Sequence, residues 1–316
     1  MVKNNPAMET LTNLLMRLLL LSPWVVAPPW WLSGTLYAFR RASAGPHGCR
    51  LEVDLVYRTT AEGRLRLDLY LPAGTGRDLP GVLMIHGGGW VTVDKTLYRG
   101  LGRLLATHGF LAAAIDYRLL GEAAWPSPLE DCAAALEWFR REGPRWGLAP
   151  DRVALLGDSA GAHLAAMLGL KAPESVRGVL AYYGPFLLTE PAPRGWPRRC
   201  QEKLIGGPPS DPAAMERAKA LSPVHLVTGT APPFLLIHGE IDSVVPCKSS
   251  EVMARALGAA GVPAELLIVK GAEHGLFSLG RIIPGLVEID RRAVAFLSAV
   301  TAGGGKWDAE GVRRPD

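Results

Sequence analysis

The sequence predicts an α/β fold, a mostly parallel twisted sheet with helices on both faces and a small cap. Three observations predict it. Short apolar runs that suit buried strands alternate with longer helical patterns, which implies parallel strands joined by crossover helices. Polar or glycine-rich turns follow several runs, where open α/β sheets place their sites. With 316 residues, 48% of them hydrophobic, the chain can bury one large core.

The predicted strands begin with a hairpin, because residues 51–58 and 65–71 alternate apolar and polar side chains. Short apolar runs then suit buried parallel strands at residues 82–85, 111–115, 153–156, 176–182, 234–237 and 266–269. Helical patterns lie between or after them, at residues 97–108, 129–141, 160–170, 249–260 and 287–300. Strands and helices therefore alternate through the central part of the chain.

The main domain is expected over residues 49–301. Within it, residues 184–230 are irregular and rich in proline, glycine and tryptophan, which predicts a cap inserted after the run at 176–182. Residues 302–316 begin with a glycine run and predict a disordered tail.

Residues 1–48 differ from the main domain. A leucine-rich run is interrupted by Arg17 and followed by three prolines among tryptophans. A membrane span needs about 20 apolar residues, and the arginine and prolines break this one. Three interpretations stay open: an anchor touching a membrane surface through residues 11–40, a soluble cap over the site, and a signal peptide or true span. Together they favour a cytoplasmic or membrane-associated protein over a secreted one.

Composition narrows the function classes. The net charge is +4, from 34 basic and 30 acidic residues, and this balance gives no argument for nucleic acid as a partner. No cysteine or histidine pair has metal-ligand spacing, so no metal is expected. The four cysteines are scattered and fit reduced thiols, although a single disulfide stays open.

The strongest motif is Gly157-Asp158-Ser159-Ala160-Gly161. It follows an apolar strand and precedes a helical run, the strand–turn–helix context of a nucleophile elbow. Small residues on both sides let strand and helix approach closely, and the tight turn exposes the hydroxyl of Ser159. We therefore expect Ser159 to be the nucleophile.

A second glycine-rich turn, His86-Gly87-Gly88-Gly89-Trp90, follows the strand at 82–85. Consecutive glycines leave backbone N–H groups uncovered, which is how an oxyanion hole is built from main chain. The expected donors are the N–H groups of Gly88, Gly89 and Ala160, the last being the residue after the nucleophile. A glycine-rich turn without a catalytic task is the alternative.

A serine hydroxyl becomes a good nucleophile only when a base takes its proton. A histidine base in turn needs a carboxylate that fixes which of its ring nitrogens carries a proton. His274 and Asp242 lie in loops that follow the last two predicted strands, in the chain order serine, acid, histidine. We assign Asp242 as the acid because it lies further into its loop than the rival, Glu240. Other histidines are expected to support structure: His163 packs on its helix, His238 braces the acid loop and His86 supports the glycine turn.

These motifs resemble the esterase/lipase branch of the α/β-hydrolase superfamily. The likeness also includes Ile-Asp-Tyr-Arg-Leu at 115–119, His-Gly-x-x-Asp-x-x-Val-Pro at 238–246 and Glu-His-Gly at 273–275. The nearest likeness is to the hormone-sensitive-lipase-like and BD-FAE-like carboxylesterases, BD-FAE denoting bifunctional feruloyl and acetyl-xylan esterases. It covers about residues 50–300. The sequence departs from relatives at 91–94 and at 247–248, both flanking the mouth of the site, so the substrate preference of relatives does not transfer.

The resemblance implies the α/β-hydrolase fold and a serine carboxylesterase that works through an acyl-enzyme. It implies a small-molecule ester as partner and no cofactor. An apolar cleft under a short cap would favour small to medium acyl esters, which is our hypothesis for the substrate. Trp90, Phe186 and Phe277 are expected to line the substrate pocket, with Trp196 and Leu276 as further candidates. A place in the apolar core is the open alternative for each of the five. The same triad serves peptidases and arylformamidases, and some relatives are non-catalytic ligand-binding proteins, so these alternatives stay open.

Overall fold

The computed structural model describes residues 49–74, 76–276, 286–302, 307 and 312–313. The predictions for residues 1–48, including the surface contact through residues 11–40, lie outside the described residues. No helix within the described ranges is long and apolar enough to cross a membrane. All four cysteines are described and all are free thiols, so no disulfide joins them.

The described strands form one sheet in the order β1-β2-β4-β3-β5-β6-β7-β8-β9. The first two strands pair antiparallel and β2 pairs antiparallel with β4, whereas every later pairing is parallel. The edge hairpin and the mostly parallel sheet are therefore confirmed. The strand bounds are β1 Arg50–Thr59, β2 Arg64–Leu71, β3 Leu79–Ile85, β4 Leu111–Ile115, β5 Leu148–Asp158, β6 Val179–Tyr182, β7 Phe234–Gly239, β8 Ala264–Val269 and β9 Val312–Arg313.

Helices cover both faces of the sheet. Their bounds are α1 Arg99–Thr107, α2 Ser127–Glu142, α3 Ala160–Lys171, α4 Trp196–Ile205, α5 Pro212–Ala220, α6 Lys248–Ala259 and α7 Leu286–Thr301. One apolar core joins α2, α3 and α6 to one face, and a second joins α1 and α7 to the other. The helix α3 follows the nucleophile elbow and is buried along almost its whole length. Its start is therefore held firmly against the sheet.

Residues 184–230 are more regular than the sequence predicted, because they contain α4 and α5. Both helices have local start and stop signals. Proline occupies the first turn of each, Asp211 caps α5 by accepting from the Ala213 N–H at 2.9 Å, and Gly206 ends α4 in the left-handed region. The helices are short, and the surrounding prolines and glycines hid them from a periodicity argument.

Four residues are described after residue 301, and three of them differ from the predicted disordered tail. Val312–Arg313 forms the edge strand β9, which pairs with Leu266 and Leu267 of β8. The Trp307 ring packs edge-on against Phe296 of α7, with centroids 4.7 Å apart. An apolar ring and an open strand edge can each hold a residue against the sheet, and neither shows in the composition of the segment.

Candidate active site

Ser159 lies on the sharp turn between β5 and α3, with φ 51° and ψ −120°. A residue with a side chain rarely adopts this backbone conformation, and the neighbouring contacts maintain it. The Ser159 N–H donates to the Tyr182 carbonyl oxygen at 2.9 Å. A Cβ on Gly161 would lie 1.9 Å from the Ile85 carbonyl oxygen, so only glycine lets α3 start this close to β3. The motif therefore presents the hydroxyl at the carboxyl edge of the sheet.

The loops after β7 and β8 bring Asp242 and His274 to this hydroxyl. His274 Nε2 lies 3.0 Å from Ser159 Oγ, and His274 Nδ1 lies 2.7 Å from Asp242 Oδ2. If Nδ1 carries the proton and donates to the carboxylate, Nε2 is left to accept the serine proton. The three residues predicted from sequence thus form one continuous hydrogen-bonded chain.

Asp242 is buried, with 7% of its surface exposed. Its Oδ1 accepts two backbone N–H groups, from Val244 at 2.9 Å and Val245 at 2.8 Å. Burial opposes its negative charge, but the nearby His274 and hydrogen bonds from His238 and His274 outweigh burial and hold the pKa of Asp242 below its ordinary value. The carboxylate is therefore ionised at neutral pH, and hydrogen bonds to both of its oxygens fix its orientation.

The rival acid and the other histidines have structural contacts. Glu240 accepts the Gly271 N–H at 3.0 Å and does not contact His274. His238 is buried and bridges Ser250 and the Val245 carbonyl, as expected of a residue that braces the acid loop. His86 stacks on Tyr117 beneath the glycine turn, and burial lowers its pKa to about 4.

The glycine turn after β3 has the backbone that the sequence predicted. Gly88, Gly89 and Trp90 all have positive φ, at 90°, 61° and 61°. A Cβ on Gly88 would lie 2.2 Å from the Thr92 carbonyl oxygen. Among the described residues, the N–H groups of Gly88, Gly89 and Ala160 donate no hydrogen bond to another part of the chain. Such donors are available to an oxygen that gains negative charge.

Asp158 holds this turn in place, a role that the sequence analysis missed. Its Oδ1 accepts the Gly87 N–H at 2.9 Å and lies 2.6 Å from the Tyr98 hydroxyl. Burial raises the pKa of Asp158, and these two donors oppose the rise. Because Asp158 precedes Ser159 directly, one short segment positions both the nucleophile and the glycine turn. The acidic residue inside the elbow motif was the signal that could have indicated this contact.

A cavity of about 90 Å³ opens beside Ser159. One water needs roughly 10–15 Å³, so the space suits on the order of six to nine water-sized groups. Its wall combines the elbow, the glycine turn, the acid loop and α4; the lining includes Trp90, Leu188, Trp196, Cys200, Val244 and Val245. Burial raises the pKa of the Cys200 thiol to about 12, so this thiol is neutral. Glu190 and Lys248 form a 2.6 Å ion pair in the lining.

The predicted pocket residues divide three ways. Trp90 lines the cavity, and so does Trp196, whose ring lies so close to Gly89 that a Cβ there would be 2.3 Å from it. Phe186 does not line it: the side chain is fully buried in the core, where it packs against Gly184 and Ala162. That prediction is wrong because the chain turns Phe186 inward after β6. Leu276 is also buried, and Phe277 lies outside the described residues.

No group of three or more histidine, cysteine, aspartate or glutamate side chains in the described ranges could hold a metal ion.

Several curated proteins share sequence with this chain, and two of them show the range. A probable isoprenylcysteine alpha-carbonyl methylesterase of Oryza sativa subsp. japonica is 31% identical over 230 residues, covering 67% of this chain and 55% of that protein. Esterase LipC of Mycobacterium tuberculosis is 31% identical over 217 residues, covering 62% and 53%. The chain thus spans about half the length of these curated relatives.

A solved structure and a family model agree on the fold and the family. The butyrate-bound structure of Est2, a thermophilic esterase from Thermogutta terrifontis, is 26% identical, has a TM-score of 0.66, and covers 83% of this chain and 97% of that one. The BD-FAE family model matches residues 67–257, more than half of the 316 residues. The chain therefore has the α/β-hydrolase fold and belongs to the BD-FAE family.

Proposed function

We propose that the protein is a serine carboxylesterase that hydrolyses small to medium acyl esters. The observation that carries the proposal is the hydrogen-bonded chain from Asp242 through His274 to Ser159, which ends beside a cavity and three available backbone N–H donors. The relatives support the same reaction class, since those named above are described as esterases.

In this mechanism Ser159 Oγ attacks the ester carbonyl while His274 Nε2 takes its proton. The N–H groups of Gly88, Gly89 and Ala160 stabilise the negative oxygen of the tetrahedral intermediate. His274 then protonates the leaving alcohol, and the acyl group stays on Ser159. A water, deprotonated by the same histidine, attacks the acyl-enzyme and releases the acid. Asp242 stabilises the imidazolium formed in both steps.

The size and lining of the cavity support short acyl groups. Most lining side chains are apolar, which suits an aliphatic acyl chain, and the small volume leaves little room for a long one. The Est2 structure with bound butyrate points the same way for that esterase. We expect kcat/KM on p-nitrophenyl esters to be highest between two and eight carbons, and a maximum at twelve carbons would contradict this size limit.

The test is Ser159→Ala, with Ser210→Ala as the matched control on the exposed surface of the cap. The first change should lower p-nitrophenyl butyrate turnover by on the order of 10⁴ or more. It should also abolish covalent labelling by a fluorophosphonate, whereas the control should keep both. Full activity in Ser159→Ala would refute the assignment. A peptide and formamide panel tests the peptidase and arylformamidase alternatives, and adding methyl esters covers the substrate type in the name of the rice relative.

A further inference from the structure

We propose that the protein has a second ligand site that takes an anion with an apolar body. The site is a cavity of about 420 Å³ between the loop after β4 and the cap helices α4 and α5. This volume is within the range of small-molecule pockets, about 300–1,000 Å³, and exceeds the cavity beside Ser159. None of its described lining residues lines the cavity beside Ser159.

The charge of this cavity is positive. Lys203 of α4 and Arg217 of α5 are its charged lining residues, and no acidic side chain is among the described lining residues. Neither cation belongs to an ion pair with another described residue. Arg217 instead donates Nε to the Ile205 carbonyl at 2.5 Å and Nη2 to the Gly206 carbonyl at 3.1 Å. These bonds hold the guanidinium at the C-terminal carbonyls of α4, and no described carboxylate pairs with it.

The Lys203 ammonium reaches toward the opposite wall. A Cβ placed on Gly121, in the loop after β4, would lie 3.8 Å from Lys203 Nζ. An anionic group in the cavity would therefore meet one cation from each cap helix, a point charge from lysine and a planar donor from arginine.

The rest of the lining is apolar. Leu120, Leu204 and Leu221 are buried and form the floor of the cavity. The half-buried Trp125 and the exposed Ala124 and Ala220 present the apolar surface that an aliphatic or aromatic group would cover. A bare inorganic anion would leave this apolar surface in water, and a neutral apolar ligand would not pair with either cation. A monocarboxylate with an apolar tail satisfies both parts of the cavity.

The wall between the two cavities is built from direct contacts. The Leu120 N–H donates to the Trp90 carbonyl at 2.8 Å, and His163 Nε2 lies 2.8 Å from the Leu221 carbonyl oxygen. His163 is fully buried and packs edge-on against Trp90, with centroids 5.2 Å apart. A ligand in the second cavity therefore lies behind a packed wall and does not contact Ser159.

Calorimetric titration of the full chain with 4-phenylbutyrate tests the site, with 4-phenylbutanol as the neutral isostere. We expect the acid to bind saturably and more tightly than the alcohol. Lys203→Met should raise Kd for the acid by up to about fivefold, as for one exposed charge pair. Ala124→Trp, which fills the cavity from an exposed lining position, should abolish this binding. Lys171→Met removes an exposed charge outside the cavity and should leave Kd unchanged.

Turnover of p-nitrophenyl butyrate in the absence of added acid should be unchanged in all three variants, which shows that they fold. If the acid bound beside Ser159 instead, Lys203→Met and Ala124→Trp would leave its Kd unchanged, and that result would overturn the proposal. So would an absence of saturable binding, or an alcohol that binds as tightly as the acid.

Discussion

Replacing Asp242 with asparagine should disable the base without disturbing the fold. In the native site Oδ1 accepts two backbone N–H groups while Oδ2 lies 2.7 Å from His274 Nδ1. An asparagine that keeps its oxygen on the two N–H groups turns its NH₂ toward Nδ1. Nδ1 must then accept, the ring proton moves to Nε2, and Nε2 can no longer take a proton from Ser159.

The opposite orientation of the amide is costly. It would place the NH₂ against the N–H groups of Val244 and Val245, so these two backbone donors would lose their acceptor. A buried donor left without an acceptor costs about 1–3 kcal/mol, so the first orientation should dominate. The wrong tautomer lowers kcat by on the order of 10⁴ in such triads. This fold-change corresponds to about 5 kcal/mol of transition-state stabilisation.

The assay is kcat on p-nitrophenyl butyrate, with thermal unfolding measured on the same preparations. Glu240→Gln is the matched control, since Glu240 is the rival acid on the same loop. Within the described residues its carboxylate accepts a hydrogen bond only from the Gly271 N–H. We expect Glu240→Gln to keep turnover within about threefold, as for a surface change. Asp242→Asn with more than a tenth of wild-type kcat, or Glu240→Gln with the larger loss, would refute the reasoning.

Three further predictions concern the buried histidines His86 and His163, the glycine turn at Gly89, and the cavity residue Trp196. Burial lowers the pKa of His86 and His163 from 6.5 to about 4; the unfolded chain therefore binds more protons between these values, and stability should fall as pH drops from 6.5 toward 4. Urea unfolding at pH 7 and pH 5 measures this, and His163→Gln should flatten the dependence; equal stability at both pH values in the native protein would contradict it. Gly89→Ala should lower kcat by about 10²–10³, as for a lost oxyanion donor, because the new Cβ would lie 2.3 Å from the Trp196 ring; unchanged kcat with unchanged melting temperature would count against the role of this turn. Trp196→Ala should raise kcat/KM for ten-carbon esters relative to four-carbon esters by enlarging the cavity. Trp138→Ala, at a ring that packs against Trp146 and does not line the cavity, should leave that ratio unchanged. No change of the ratio in Trp196→Ala would mean that Trp196 does not limit chain length.

Much of the fold could be predicted because strands and helices leave local patterns. The run at 111–115 coincides with β4, and the helical pattern at 160–170 lacks only the last residue of α3. The cap helices were missed because prolines and glycines flank and interrupt their short apolar patterns. Phe186 was assigned wrongly for a related reason: nothing in a loop sequence indicates which way one aromatic ring turns.

The site was predictable where its chemistry depends on local backbone. Glycines at 157 and 161 indicate a close strand–helix turn, where a Cβ would collide with backbone. Glycines at 88 and 89 indicate an N–H-rich loop, because their positive φ favours glycine. Sequence patterns supported the choice of Asp242 over Glu240 as the acid of the triad more weakly. That choice depends on which carboxylate contacts His274, and the contact joins residues 32 positions apart in the chain.

The sequence by itself determined the parallel sheet, the elbow at Ser159 and the glycine turn, because each follows from short-range sterics and hydrophobic periodicity. Only the tertiary structure decided which acid contacts His274 and that Asp158 and Tyr98 hold the glycine turn. It also decided that Trp196 lines the cavity. The Ser159–His274 contact joins residues 115 positions apart, and Tyr98 reaches Asp158 across 60. Such contacts depend on strand register and on the path of the cap, which are set by the packing of the whole chain.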